Sequence, residues 1–562
     1  MDGKSGNKKI LEQLIADGIE YIFGNPGTVE QGFLNELKSY PRLKYILTLQ
    51  ESIAVMAADG YARSTKKPAV VQLHSSPGIG NAVGAVYQAY RGHSPLVIIA
   101  GDAGVKYMNM DAQMAADLTG IMKPVTKYST MVLHKDSVLR TLRRAIKIAS
   151  TPPMGPVYVC LPADILDETN TEQVFPSASV FKASPAADSV CAEIAESLVS
   201  AESPVFFIGD AVAYSGAEGD VKELAELIGA EVYGADCGEL NMDNTSPCWK
   251  GMTGHMFGFA SLPVTMKTDA ALILGTYMLP EVFPETGDIF KTSAKVMHID
   301  LNDYEIAKNH RVDTAVSADI GLTLKKVISM IRETASEADM NRFRVRFQTL
   351  AASVKPPSFP EPQKDAPLKM HEFAKVLGEK LPADAVIFDE ALTSSPELTA
   401  FIVPKERGSY FQTRGGSLGV GFPGAIGIKT ANPDKTVIGF SGDGGSLYTI
   451  QALWTAAHHG IGAKFVVCNN MSYKLLKLNI SQYWREQGAD GEAFPECFSI
   501  DSPAVDFVSI ARGFGVDALR VENREDIAGA IDAMLATDKP FLIDLSVDTD
   551  HKNHQAGCRC GQ

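Results

Sequence analysis

Only eight cysteines occur in 562 residues, at Cys160, Cys191, Cys237, Cys248, Cys468, Cys497, Cys558 and Cys560. So few thiols, so irregularly spaced, do not make a disulfide framework, and a reducing cytoplasm is the expected compartment. Basic charge is also in deficit: 52 Lys and Arg stand against 67 Asp and Glu, for a formal net charge of −15. Nucleic acid and anionic membrane both reward a basic face, so neither is expected as a partner. A small anionic substrate is not excluded, because it feels only its local site. No run of about 18 apolar residues occurs, so no membrane-spanning helix is expected. Residues 1–9 are polar and charged, and no secretory leader is expected there.

What is present is ordinary for a globular chain, with 45% hydrophobic and 21% charged residues. The length calls for three or four domains. Residues 166–190 are polar and aperiodic, and residues 352–368 carry five prolines; both read as linkers. The resulting expectation is three domains, 1–170, 185–340 and 365–548, with a tail at 549–562. Each segment alternates short apolar runs with helical patterns, as in PVFFIGD, DVKELAELIG and AALILG of the second. The fold class is therefore α/β, each domain a mostly parallel sheet flanked by helices.

The strongest chemical pattern lies in the third segment. Residues 436–441 form an apolar run that ends in Gly442-Asp443-Gly444-Gly445. The spacing then predicts a helix with Leu447, Ile450, Leu453, Trp454 and Ala457 on one stripe. A second apolar run, 465–468, ends in Asn469-Asn470. A right-handed crossover places both strand ends on one sheet edge, so Asp443 and Asn470 can converge in the crevice where open α/β sheets bind ligands. That pairing suits Mg2+, which takes about six oxygens, one or two of them from carboxylates. Asp443 supplies charge, Asn470 a neutral oxygen and the carbonyl of Ser472 a third donor. The glycines let N–H groups face phosphate oxygens. The plain alternative is a surface turn followed by an ordinary loop.

GDG followed at this distance by NN resembles the motif of the thiamine diphosphate enzyme superfamily. FGNPGT, LQE, ADGYAR and LHSSPGIGN in the first segment resemble that family's pyrimidine-binding domain, and the likeness runs through nearly the whole chain. It implies a pyrimidine-binding, a middle and a diphosphate-binding domain. It implies metal ligation by Asp443, Asn470 and Ser472, and cofactor contacts from Gly444, Gly445, Ser446, Tyr473 and, more weakly, Thr393. Glu51, which opens the helix SIAVMAADGYARS, is implied as the carboxylic acid at N1′ of the aminopyrimidine. On its own it is a helix-start Glu favoured by the macrodipole, worth about 0.3–1 kcal/mol.

Within the superfamily the chain is most similar to benzoylformate decarboxylases and acetolactate-synthase-like proteins. Thr28 stands where the former have a substrate-contacting serine, and His74 where they have an active-site histidine. His74 is read as the last residue before a Gly-rich turn at a strand end. Gly416 matches the residue whose carbonyl holds the 4′-amino group, and Leu418 the one that wedges the cofactor into its V shape. The likeness breaks in the middle domain, where TYMLPEVFPETG offers Val282 in place of a second histidine. His255, in GMTGHMFG, resembles an acetolactate-synthase turn and is not assigned that role. Lys474 and Lys477 stand where relatives have glycine and arginine; they read either as a solvated helix face or as recognition of an acidic substrate tail.

The implied activity is a thiamine diphosphate- and Mg2+-dependent decarboxylase or lyase acting on a small 2-oxo acid through an enamine. The alternatives are a carboligase of the acetolactate synthase or 2-hydroxyacyl-CoA lyase kind, taking an aldehyde or acyl acceptor, and a non-catalytic cofactor-binding homologue. The likeness also implies a homodimer or homotetramer. It leaves FAD open without indicating it. Gly78, Gly80 and Gly84 only approximate a dinucleotide fingerprint, and tight packing of a turn is the preferred reading. His551, His554, Cys558 and Cys560 have donors enough for Zn2+, but C-x-C is tighter than structural-zinc spacing, and a frayed tail is expected.

Overall fold

The computed structural model describes residues 3–180, 184–254, 256–362, 366–489 and 492–549. His255 and the tail from residue 550 lie outside them. The described residues divide into two compact units, one drawn from 3–180, 366–395 and 413–549, the other from 184–362 and 396–412.

The amino-terminal part of the first unit is built on β1 (Tyr21–Gly24), β2 (Lys44–Leu47), β3 (Ala69–Leu73), β4 (Leu96–Asp102), β5 (Tyr128–Met131) and β6 (Val157–Pro162). They lie parallel in the order β2-β1-β3-β4-β6-β5. The second unit carries β7 (Pro204–Ile208), β8 (Glu231–Gly234), β9 (Trp249–Met252), β10 (Ala270–Leu274), β11 (Lys295–Asp300) and β12 (Thr314–Ser317). Its order is β9-β8-β7-β10-β11-β12, again all parallel. In the carboxy-terminal part of the first unit, β13 (Val386–Glu390), β14 (Val437–Gly442), β15 (Lys464–Asn469), β16 (Asp517–Val521) and β17 (Phe541–Ser546) run parallel in the order β13-β14-β15-β17-β16. Helices cover both faces of such sheets, so central strands such as β3 and β10 are buried at every residue; β10 reads as an unbroken apolar run and β3 is broken only by Gln72. No helix among the described residues is long and apolar enough to cross a membrane.

Two helices join the two sheets of the first unit. Helix α1 (Glu51–Thr65) starts where the Gln50 side chain accepts the N–H groups of Ser52 at 2.6 Å and Ile53 at 3.3 Å. Helix α2 (Ser75–Arg91) follows β3, and α3 (Gly421–Ala431) precedes β14. Both α1 and α3 are buried nearly all round, as expected of helices held between layers rather than on a surface. They meet backbone to backbone: a Cβ on Gly60 would stand 2.2 Å from the Gly424 carbonyl, and one on Gly427 would stand 1.8 Å from that of Ala57. Arg63 of α1 lies 3.8 Å from Asp59 and places its guanidinium 5.7 Å from the ring centre of Phe388 in β13. The strand leading to Glu51 is held from the carboxy-terminal part of the unit as well, since Leu47 N–H donates to His459 Nε2 at 2.8 Å and Thr455 Oγ1 donates to the Leu47 carbonyl at 3.1 Å.

Candidate active site

Parallel pairing of Gly442 with Cys468 sends β14 and β15 out of the sheet at one edge. Asp443 opens a single helical turn, α4 (Asp443–Ser446), and Asn470 follows β15 directly. The expected convergence is present: Asp443 Oδ2 accepts the N–H groups of Asn470 at 3.0 Å and Ser472 at 3.1 Å, while Oδ1 accepts that of Gly444 at 2.7 Å. Met471, at φ 53°, turns the chain so that both flanking N–H groups reach the same oxygen. Burial pushes the Asp443 carboxyl up to about 6 against the opposing pull of those N–H groups.

The Asn470 side-chain oxygen is buried without a hydrogen-bond partner. An orphaned acceptor costs about 1–3 kcal/mol, which a cation at this corner would relieve. The Ser472 carbonyl accepts the Lys474 N–H at 2.8 Å, and its second lone pair can take a ligand. No group of three or more His, Cys, Asp or Glu side chains suited to a metal occurs among the described residues. A cation here therefore meets one carboxylate, neutral oxygens and whatever oxygens a ligand brings, the donor set of Mg2+ rather than Zn2+. Tyr473 packs its ring where a Gly444 Cβ would fall, 2.5 Å from Cε1, and Ser446 Oγ donates to the Asp443 carbonyl at 2.9 Å. Lys474, by contrast, is buried and donates to the Asp548 carbonyl at 3.0 Å, and Lys477 lies 5.7 Å from the Phe494 ring centre. The solvated-face reading does not describe Lys474.

Gly416 and Leu418 lie on the loop ahead of α3, where Gly416 and Gly419 adopt φ of 74° and 89° that favour glycine. Leu418 is half-buried, not a core leucine. The loop is tied down by Glu390, at the end of β13, whose carboxylate accepts the N–H groups of Gly419 at 2.5 Å and Gly421 at 2.7 Å and the Ser441 hydroxyl at 3.1 Å. Burial raises Glu390 to about 7, with those donors acting the other way. Thr393 follows on a short 3-10 turn packed against α6 (Lys474–Gln487), with α5 (Ala452–His459) between α4 and α6 in the chain.

The amino-terminal group is equally compact. A Cβ on Gly78 would lie 3.2 Å from His74 Cβ and 3.3 Å from Glu51 Oε1, so both side chains converge on the first turns of α2. Asn81 Nδ2 donates to Glu51 Oε2 at 3.1 Å. His74 Nδ1 stands 3.0 Å from Glu30 Oε2, and Glu30 Oε1 accepts the Gly101 N–H at 2.8 Å. Burial raises the Glu30 carboxyl, opposed by the Gly101 and His74 hydrogen bonds. With Nδ1 turned to a carboxylate, Nε2 is the ring nitrogen left to face a ligand. Thr28 is exposed and lines a cavity of about 460 Å³ with Asn7, Val29, Ala103 and Asp167.

Three local readings need correction. The helix expected after GDGG is interrupted: α4 ends at Ser446, Leu447 and Tyr448 are exposed, and α5 buries Ala452, Leu453, Thr455 and Ala456, of which Leu453 alone belongs to the expected stripe. The Thr449 hydroxyl donates to the Gly419 carbonyl at 2.5 Å, anchoring the break to the Leu418 loop. The Gly-rich stretch after His74 is not a turn but α2, with His74 at its N-cap position. Tight packing there holds for Gly78 alone, since a Cβ on Gly80 or Gly84 would meet nothing. Glu30, Asn81, Glu390 and Ser441 were not singled out from sequence. Glu390 alone carried a sign, since with Asp389 it closes a strand that is otherwise apolar, where charge is rarely buried without partners.

Three family descriptions and several known proteins match the chain. The description "Thiamine pyrophosphate enzyme, N-terminal TPP binding domain" matches residues 4–121, the central domain 191–327 and the C-terminal TPP binding domain 395–545. Benzoylformate decarboxylase of Pseudomonas aeruginosa is 32% identical over 552 residues, covering 97% of this chain and 99% of that protein. A probable acetolactate synthase large subunit of Methanocaldococcus jannaschii is 29% identical, covering 97% and 92%. The solved thiamine diphosphate-dependent 4-hydroxybenzoylformate decarboxylase of Rhodococcus jostii RHA1 superposes with a TM-score of 0.86 at 28% identity, covering 98% of this chain and 100% of that one.

Proposed function

Because this chain belongs to the thiamine pyrophosphate enzyme family, we propose that it is a Mg2+-dependent decarboxylase or lyase acting on a small 2-oxo acid. The observation that carries this reading is the convergence of Glu51 and His74 on Gly78, a carboxylic acid for the cofactor beside a histidine for the substrate. Asp443, Asn470 and the Ser472 carbonyl would hold the metal, with Gly444, Gly445, Ser446, Tyr473 and Thr393 toward the diphosphate. Gly416 and Leu418 would receive the aminopyrimidine. Thiamine diphosphate, when bound, supplies a thiazolium carbanion that adds to a carbonyl and takes up the electrons of the bond that breaks.

The protein's own tasks are then few. Glu51 holds and returns a proton at N1′ of the aminopyrimidine. His74, its Nδ1 oriented by Glu30, directs Nε2 at the substrate carboxylate or passes a proton. Thr28 offers a hydroxyl to the substrate. A carboligase with an aldehyde or acyl acceptor is the second reading, favoured by Val282, exposed, in the run where a second histidine is expected. FAD is not part of the proposal. We place the enzyme in the cytoplasm as a homodimer or homotetramer, which light scattering would test.

The experiment is CO2 release from aromatic and aliphatic 2-oxo acids, with and without thiamine diphosphate and Mg2+, and with and without an acceptor aldehyde. CO2 that requires both cofactors supports the reading, and a 2-hydroxy ketone as main product selects the carboligase. A holoenzyme that releases CO2 from none of them contradicts it.

A further inference from the structure

Glu390 occupies a position that no assigned role explains. It closes β13 with a carboxylate 1% exposed, between the two glycine turns of the site: a Cβ on Gly421 would stand 3.0 Å from Oε2, and one on Gly445 would stand 3.3 Å from Oε1. On one side it accepts the N–H groups of Gly419 and Gly421, which follow Gly416 and Leu418 and open α3. On the other it accepts the hydroxyl of Ser441, two residues before Asp443. Helix α3 lies on α1, whose first residue is Glu51, at carbonyl contact. One carboxylate thus touches the loop meant for the aminopyrimidine, the strand meant for the metal and the helix that backs the catalytic acid. The two carboxyl oxygens together offer acceptors enough for all three donors. A glutamine turns an NH2 against one of the glycine N–H groups.

We propose that Glu390 is a positioning residue that locks the Gly416–Leu418 loop to the Asp443 strand, holding the aminopyrimidine and diphosphate subsites in fixed register. The proposal rests on the cofactor reading given above. A merely structural Glu390 would lower the melting temperature and weaken every cofactor fragment alike. A register clamp acts on whatever must span both subsites, and spares a ligand that fills one.

The test compares two probes on the full-length protein by calorimetry, thiamine diphosphate with Mg2+ and inorganic pyrophosphate with Mg2+, the second read by competition against the first. For Glu390→Gln the affinity for thiamine diphosphate should fall about 10- to 100-fold, the range of one charge-assisted hydrogen bond, with pyrophosphate changed less than about twofold. Equal weakening of both probes, or of neither, overturns the proposal. If Glu390→Gln does not fold, Ser441→Ala decides: it should lower the affinity ratio about threefold, and an unchanged ratio overturns the clamp. Failure of the wild type to bind thiamine diphosphate with Mg2+ would instead take down the proposed function and this inference together.

Discussion

Replacing Gly427 by alanine tests the joint between the two halves of the site. The new methyl would lie 1.8 Å from the Ala57 carbonyl and 2.7 Å from the Tyr61 nitrogen, both backbone atoms of α1 that cannot swing aside. Real Cβ contacts essentially never fall under 3.0 Å, so α1 and α3 must separate by about 1.2 Å. Overpacking of this kind costs about 1–3 kcal/mol. Alanine in place of glycine inside a helix returns about 0.8–1 kcal/mol, so the steric term wins. Gly529→Ala is the control, an exposed helical site where a Cβ meets nothing, and it should gain stability. Thermal melts with and without thiamine diphosphate and Mg2+ read both effects. Gly427→Ala should melt about 1–2 °C lower and lose much of its cofactor-induced shift, because α1 carries Glu51 and α3 follows Leu418. If it melts as high as wild type with an unchanged shift, the helices do not meet as described.

Asp443→Ala removes the only charged protein ligand proposed for Mg2+, so stabilisation by cofactor, about 2.7 kcal/mol at a hundredfold excess over Kd, should vanish in a melting assay. His74→Ala should leave that stabilisation intact while turnover of a 2-oxo acid drops about 10²–10⁴-fold in a CO2 assay. Asp300, in the second unit, is 3% exposed and raised by burial to about 7. A carboxyl that holds its proton more tightly folded than unfolded contributes stability that is complete at low pH and lost as pH rises through that value. Asp300→Asn should therefore gain on the order of 2 kcal/mol at about pH 8 and flatten the decline between about pH 4 and pH 7, measured by denaturant titration.

The three sheets were legible because parallel strands covered on both faces must be apolar at every position, as in AALIL of β10. Asp443 and Asn470 were legible because the crossover rule sends neighbouring parallel strands out at one edge, and the structure joins them through a 3.0 Å hydrogen bond. Glu30 was hidden: an acid two residues past Thr28 looks like any surface acid until the fold brings His74 and the Gly101 N–H to it. The break after Ser446 was hidden for the same reason. Helical spacing continues through Leu447 and Ile450, and only the Thr449 hydroxyl, reaching the Gly419 carbonyl thirty residues back, shows why the chain turns. Local pattern reports which face is apolar, and tertiary hydrogen bonds decide where it stops.

The central claim is that Glu51 activates a bound thiamine cofactor, and exchange of the thiazolium C2 proton for deuterium, followed by quenched NMR, measures that step without any substrate. Wild type with thiamine diphosphate and Mg2+ should exchange far faster than free cofactor, and Glu51→Gln should bind the cofactor but exchange at least about a hundredfold more slowly. Equal exchange in the two proteins, with cofactor bound in both, would contradict the account.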